Sequence, residues 1–306
     1  MEEGRGVNDE FNQVTWCILG GDRRDAHFAR AMLDLGYDIR VSCVPGIDSL
    51  PAEVVFHDAN EAVRGASVVV CPVTGTDESG ILRQSTTPVD LPKVLSRAED
   101  LKVLVIGSAR QVVWEAADAK GIRIVESMRD DELAILNSIP SAEGAVQIAM
   151  QHSDFTIHGS KSAVLGFGRT GVTLASTLLA LKSTVTVAAR KPQDLARART
   201  LGHIPLRFSD LKSALSSFDL VFNTAPALVL PRELLSAVKK TCVIIDLASP
   251  PGGVDFEAAQ EAGITAILAP GLPGLVAPRT AGEILSLVIP RLVDQALESS
   301  HRGDQP

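Results

Sequence analysis

Short β-branched runs alternate with stretches of helical period along nearly the whole chain, and that alternation restricts the fold more than any other feature. A strand, a helix and a second strand in succession carry the chain back over a sheet in one direction. That requires parallel strands covered by helices. Strand candidates in the first half are residues 14–19, 39–44, 67–70, 103–106 and 122–125. The helical stretch 24–35 sets Phe28, Ala31, Met32 and Leu35 on one face. In the second half the strands are 163–165, 185–189, 220–223, 243–246 and 266–269, with helices at 170–181, 193–201, 210–215, 232–238 and 255–261.

A chain of 306 residues with 45% hydrophobic and 22% charged residues has room for two ordinary globular domains. A boundary is expected at 137–139. Pro140 suits the first turn of a helix there, capped by Ser141 or Ser138, and residues 142–154 read as a connecting helix. Residues 270–274, with two prolines and two glycines, read as a loop. A final helix over 280–297 carries Ile284, Leu285, Val288, Leu292 and Leu297, with a kink expected at Pro290. The expected organisation is α/β: two Rossmann-like, doubly wound parallel-sheet domains with a cleft between them. The first covers 1–139 and is completed by the C-terminal helix, 282–306; the second covers 140–281.

Other classes are disfavoured. A net charge of −8 without a basic stripe argues against nucleic-acid binding. Residues 1–12 are polar and lack the apolar run of a signal peptide, and no uninterrupted apolar stretch of about 18 residues occurs. Cys17, Cys43, Cys71 and Cys242 each lie in or beside a strand-like run and form no CxxC pair. They read as buried thiols of a cytoplasmic protein. The six histidines are scattered without metal-ligand spacing, so no metal is expected.

Residues 162–165 are followed at once by Gly166-Phe167-Gly168-Arg169-Thr170-Gly171 and then by a helix. Gly166 allows the tight turn, Gly168 lets a pyrophosphate approach the backbone, and Gly171 permits close helix–strand packing. The helix start offers unpaired N–H groups to phosphates. At the end of the next strand, where NAD-binding domains place a carboxylate for the ribose diol, stand Ala189, Arg190 and Lys191. Two cations and no acid favour NADP(H) over NAD(H). Thr224 and Pro226, in Asn223-Thr224-Ala225-Pro226, suit a turn beneath the cofactor ribose. Asp246 and Ser249 end the following strand at the same edge of the sheet, where Asp246 is equally suited to capping the helix that begins near Asp255 or to bonding nearby backbone donors.

A longer pattern carries a family resemblance. Arg129-Asp130-Asp131, Asn137-Ser138-Ile139-Pro140, Glu143-Gly144, Gln151-His152 and Thr156-Ile157-His158-Gly159-Ser160 lead into the glycine corner. Gly20-Gly21-Asp22, Asp246-Leu247-Ala248-Ser249, Pro251-Gly252-Gly253, the run from Ala269 to Gly274, Ala277-Pro278 and Thr280-Ala281-Gly282 complete it. Together they closely resemble the A subunits of dipicolinate synthase from spore-forming bacteria. The resemblance implies a sporulation enzyme of the mother-cell cytoplasm. With a flavoprotein-like B subunit, it would oxidise dihydrodipicolinate to dipicolinate on a scaffold like that of D-2-hydroxyacid dehydrogenases and adenosylhomocysteinase. Those dehydrogenases use an arginine, a glutamate and a late histidine. Here the strand ending at Asp246 is followed by Ala248-Ser249-Pro250, with no arginine, and no histidine lies in 270–278, so hydroxyacid oxidation itself is not supported.

Oxidation of a dihydropyridine dicarboxylate removes a hydride and a proton, and its two carboxylates need cationic or hydroxyl partners. By placement, candidate catalytic residues are Asn137, Ser138, Glu143, His158 and Asp22. Candidates for the dicarboxylate are Arg23, Thr74, Gly75, Thr76 and Ser108, with Arg24 and Arg110 nearby. Arg169 and Thr170 join the cofactor set. Helix capping competes as the role of Asp22 and Glu143. Homo-oligomerisation is left open, as are two other readings: a nucleotide-binding structural or regulatory subunit, and an adenosylhomocysteinase-like hydrolase with tightly held NAD.

Overall fold

The computed structural model describes residues 14–302. Residues 1–12, read above for a signal peptide, and the last residues of the expected C-terminal helix lie outside the described residues. In the first half the strands are β1 (Trp16–Leu19), β2 (Ile39–Ser42), β3 (Val55–Phe56), β4 (Val68–Val70), β5 (Val103–Ile106) and β6 (Arg123–Glu126). Between them run α1 (Arg23–Asp34), α2 (Ala59–Val63), α3 (Leu91–Arg97) and α4 (Gln111–Asp118). A long helix, α5 (Asp131–His152), leads into the second half. There β7 (Lys161–Leu165), α6 (Arg169–Ala180), β8 (Thr184–Ala189), α7 (Pro192–Thr200), β9 (Ile204–Arg207) and α8 (Leu211–Ala214) follow in turn. Then come β10 (Leu220–Asn223), α9 (Arg232–Leu235), β11 (Val243–Asp246), α10 (Phe256–Glu261), β12 (Thr265–Leu268), α11 (Leu272–Val276) and α12 (Pro278–Arg302).

The strands form two six-stranded sheets, ordered β3-β2-β1-β4-β5-β6 and β12-β11-β10-β7-β8-β9, and every pairing is parallel. Read from the other end, the second order repeats the first: each sheet starts in its middle, winds outward, then reverses. Both are Rossmann-like α/β sheets, as expected. The chain reverses between β1 and β4 in one and between β7 and β10 in the other. These are the switch points where such sheets bind ligands.

The described residues up to Leu133 and from Ala277 onward form one compact unit, and Ala134–Val276 the other. In the first unit, Cys17, Leu19, Val69, Leu104 and Ile106 face Leu91, Val94, Leu95 and Val113 of the covering helices. α1 and α12 lie against each other, closely enough that a Cβ on Gly282 would come 2.6 Å from the Arg24 carbonyl oxygen. In the second unit Val164, Val187, Phe222 and Ile245 bury one face against α5 and α6, and Ala163, Leu165, Val221 and Ile244 bury the other. Each fully buried Val, Leu, Ile or Phe among these contributes about 1.5–3 kcal/mol.

Three local expectations differ from the structure. No helix starts at Pro140, because α5 runs through it. Its buried positions continue on both sides of the proline, from Leu133 through Ser138 and Pro140 to Ala142, Ala145 and Ala149. Ser138 and Ser141 are not caps. Their hydroxyls donate to the carbonyls of Ile135 and Asn137, at 2.6 and 2.8 Å, within the turn that the proline leaves one N–H short. Residues 270–274 are not all loop, since Leu272–Val276 form a helical turn with Pro273 at its second position, where no N–H is needed. Two outer strands, β3 and β9, were not anticipated at all. Among the described residues no helix is long and apolar enough to cross a membrane.

Candidate functional site

The glycine corner lies at the switch point of the second sheet. β7 ends at Leu165 and α6 begins at Arg169. Gly166 has φ +97°, a conformation that L side chains rarely adopt, and its N–H donates to Ala188 O at 2.9 Å. Gly171 lies against the Gly166 carbonyl oxygen, and a side chain there would force α6 off the strand. Gly168 is the N-cap of α6 and has no capping side chain, and a Cβ built on it meets nothing within 4 Å. Each glycine therefore meets its steric expectation: a tight turn, an open approach and a close contact. The open face at an uncapped helix start has the shape and polarity that a diphosphate requires.

The surrounding strand ends frame this turn. Thr224 reaches across from β10, its backbone N–H and its hydroxyl both bonding Leu165 O, at 2.9 and 3.0 Å. Pro226 and Ser249 are exposed. Asp246 is completely buried, and its carboxylate accepts from Asn223 Nδ2 at 2.7 Å, Ala248 N at 3.0 Å and Gly253 N at 2.6 Å. It ties the strand-end loops together and has no oxygen turned to solvent. Asp255, not Asp246, caps α10, accepting from Ala258 N at 2.9 Å. Arg190 and Lys191 are exposed at the end of β8, Arg169 is exposed at the start of α6, and Thr170 is half-buried.

Candidates on and beside α5 are dispersed. Ser138 is buried and shares a hydrogen bond of 2.5 Å with Thr173 of α6. The Asn137 side-chain oxygen is buried without a partner. Glu143 is exposed in mid-helix and caps nothing, because the helix start it would have capped does not exist. His158 is exposed in the turn before β7.

In the first unit the structure gathers the remaining candidates at the carboxyl edge of the sheet. Asp22 caps α1 in a reciprocal box with Asp25, and it holds the buried Arg24 guanidinium at 2.8 Å. Burial opposes the ionised form of Asp22, but the hydrogen bonds and charge of Arg24 outweigh it and hold the carboxyl below its ordinary range. Burial pushes Asp25 up to about 7, against the pull of Arg24. Arg23 is exposed beside this cluster. Thr74 donates to Gln84 Oε1 at 3.1 Å, and Gln84 O accepts from Gly21 N at 2.8 Å. Gly75 fits against the Ser108 carbonyl, where a Cβ would come within 2.5 Å of the oxygen. The Thr76 hydroxyl is buried without a partner. Arg110 pairs with Glu78 at 3.2 Å.

Two residues went unread in the sequence. His203 is buried, both its ring nitrogens lack a partner, and burial lowers its pKa. Its ring stands edge-on to Phe167, 5.9 Å between centroids, under the glycine corner. Arg207 ends β9 as the register partner of Ala189. The four cysteines are buried and free, and burial pushes the thiols of Cys17 and Cys242 up to about 12. Among the described residues no cluster of His, Cys, Asp and Glu can hold a metal ion.

Two Rossmann-like sheets, one with an open glycine corner at its switch point, define the dehydrogenase class of nucleotide-binding fold. At 15% identity, the transhydrogenase of Sinorhizobium meliloti shares this fold with a TM-score of 0.66, covering 92% of this chain and 94% of its own. Residues 147–267 match the family model of shikimate/quinate 5-dehydrogenase, and residues 15–128 that of the N-terminal domain of the dipicolinate synthase A subunit. The A subunit of Bacillus subtilis dipicolinate synthase is 35% identical over 297 residues, 90% of this chain and 95% of its own. The crystal structure of the A subunit from Bacillus halodurans matches with a TM-score of 0.83 at 34% identity, covering 92% and 98% of the two chains. The chain belongs to the family of dipicolinate synthase A subunits.

Proposed function

We propose that this chain is the NADP(H)-binding subunit of an oxidoreductase that converts dihydrodipicolinate to dipicolinate. One observation carries the cofactor part: α6 starts uncapped, and nothing lies within 4 Å of a Cβ placed on Gly168. The substrate comes from the family, whose Bacillus subtilis member bears the name dipicolinate synthase. When bound, the nicotinamide supplies the hydride acceptor for aromatisation of the ring.

The chain's own residues would bind and orient. Gly166 turns the chain, Gly168 leaves the uncapped helix start open to the diphosphate, Gly171 lets α6 pack close to the strand, and Arg169 and Thr170 open the helix beneath the diphosphate. Thr224 fixes the neighbouring strand end, with Pro226 next to it. Arg190 and Lys191 favour a ribose phosphate over a diol. In the first unit Arg23, Thr74, Thr76 and Ser108 offer a cation and hydroxyls suited to carboxylates. A flavoprotein-like B subunit is the proposed partner and the cytoplasm of a sporulating mother cell the proposed setting, both from the family resemblance.

The test is direct. Purified chain is mixed with NADP⁺ or NAD⁺, dihydrodipicolinate is added with and without the B subunit, and the absorbance of reduced nicotinamide is followed. Reduction with NADP⁺, faster than with NAD⁺, is the expected outcome. Failure of calorimetry to detect either nucleotide would sink the proposal. Reduction seen only with the B subunit would leave this chain binding nucleotide for a shared active site.

A further inference from the structure

The edge strand β9 ends at Arg207, which pairs in register with Ala189, the last residue of β8. Adjacent strands run about 4.8 Å apart. Arg207 therefore starts one strand away from Ala189, the residue preceding Arg190 and Lys191. All three cations are exposed, and among the described residues none of them forms an ion pair or a side-chain hydrogen bond. Elsewhere in the chain Arg24, Arg110, Arg129, Arg232, Arg279 and Arg291 pair with carboxylates. The nearest acids in sequence, Asp194 and Asp210, pair with none of the three, and Asp210 accepts from Ser209 Oγ at 3.0 Å.

Three like charges within a few residues and one strand spacing repel one another. The strand spacing of about 4.8 Å is below the Debye length of about 8 Å at physiological salt, so screening of the repulsion between neighbouring strand ends is incomplete. An anion of high charge density relieves it. The cluster is also tied to the glycine corner, since Gly166 N donates to Ala188 O at 2.9 Å, one residue before Ala189.

We infer that Arg207 is a specificity-determining residue, the third arm of a cationic clamp, with Arg190 and Lys191, on the 2′-phosphate of a bound dinucleotide. The inference rests on the dinucleotide reading of the corner. An arginine suits the role because its planar fork engages two phosphate oxygens together. Arg207 is exposed at the end of an edge strand, so its replacement leaves the core intact.

The test is a calorimetric titration of wild type, Arg207→Gln and Arg207→Lys with NADP⁺, NAD⁺ and adenosine 2′,5′-bisphosphate. Arg207→Gln should weaken NADP⁺ and the bisphosphate by about tenfold, as expected for a hydrogen bond between charged groups, and change NAD⁺ less than about twofold. Arg207→Lys, which keeps a point charge without the fork, should fall between. Unchanged NADP⁺ affinity in Arg207→Gln, or equal loss of NADP⁺ and NAD⁺, overturns the clamp while leaving the corner intact. A wild type that prefers NAD⁺ also overturns the clamp alone. A wild type that binds neither dinucleotide overturns the corner and the clamp together.

Discussion

The two sheets share one strand order, and each opens on a glycine-led turn at its switch point, yet the two turns are filled differently. After β1, Gly20 and Gly21 have φ +70° and +128°, and Asp22 caps α1. The position a Cβ would take on Gly21 is occupied by the Asp25 carboxyl, and that on Gly20 lies 2.8 Å from Leu82 Cδ1 and 2.9 Å from Gln84 O. After β7, Gly168 stands where Asp22 stands in the first turn, with no cap and open space above it. Topology alone therefore makes no nucleotide site. A helix start whose N–H groups are answered by its own carboxylates is full; one left unanswered attracts a phosphate.

The comparison breaks most heavily at Asp22. Asp22→Ala removes the cap and leaves the Arg24 guanidinium, 3% exposed, without its partner. An unpaired buried charge costs about 3–5 kcal/mol, so unfolding by urea should show a loss of at least about 3 kcal/mol. A loss below about 1 kcal/mol would mean that the first turn is no more dependent on its carboxylate than the second.

Next in size is the converse change. Gly168→Asp places a carboxylate where Asp22 stands in the first turn and should convert the open turn into a capped one. The Cβ enters free space, so the fold is kept. The new cap adds up to about 1 kcal/mol, and Tm should hold or rise. A carboxylate against a diphosphate costs several kcal/mol, so affinity for NADP⁺ should fall at least about 100-fold. Wild-type affinity in this variant would place the phosphates elsewhere.

The open corner was legible in the sequence because its parts are local: three glycines at fixed offsets between a strand and a helix carry the geometry. The alternation of periods likewise revealed the central strands of both sheets. The outermost strand on one side of each sheet was missed. β3 has two residues, and β9 contains Pro205 and is exposed at both ends. Neither gives the apolar run that marks a buried strand. Missing β9 hid Arg207, whose neighbour Ala189 is distant in sequence and adjacent only through pairing. Pro140 misled for the opposite reason, since a local helix-breaking signal was overridden by a buried stripe extending on both sides of it. The commitment of Asp246 to Asn223, Ala248 and Gly253 depends on how the end of β10 meets the loop after β11, which no spacing rule encodes. Asp25 was passed over because a helical acid reads as solvated until the fold buries it.

That burial supplies the finest test of the comparison. Asp25 has a folded pKa of about 7, raised by burial from 3.8. Between those values the unfolded chain has released the proton while the folded chain keeps it. The folded state therefore binds more protons, and stability falls as pH rises through the window, by up to about 1.4 kcal/mol per pH unit. Above the folded pKa the loss is complete and the contribution is flat. Asp25→Asn keeps a carbonyl oxygen for the Asp22 N–H, which Asp25 Oδ2 accepts at 2.8 Å, and has nothing to titrate. The difference in unfolding free energy between wild type and variant cancels the other titrating groups. It should move in the variant's favour as pH rises from about 4 to 7. A difference independent of pH would mean that Asp25 is ionised in the folded protein, and that the first turn is filled by a charge rather than by a neutral acid.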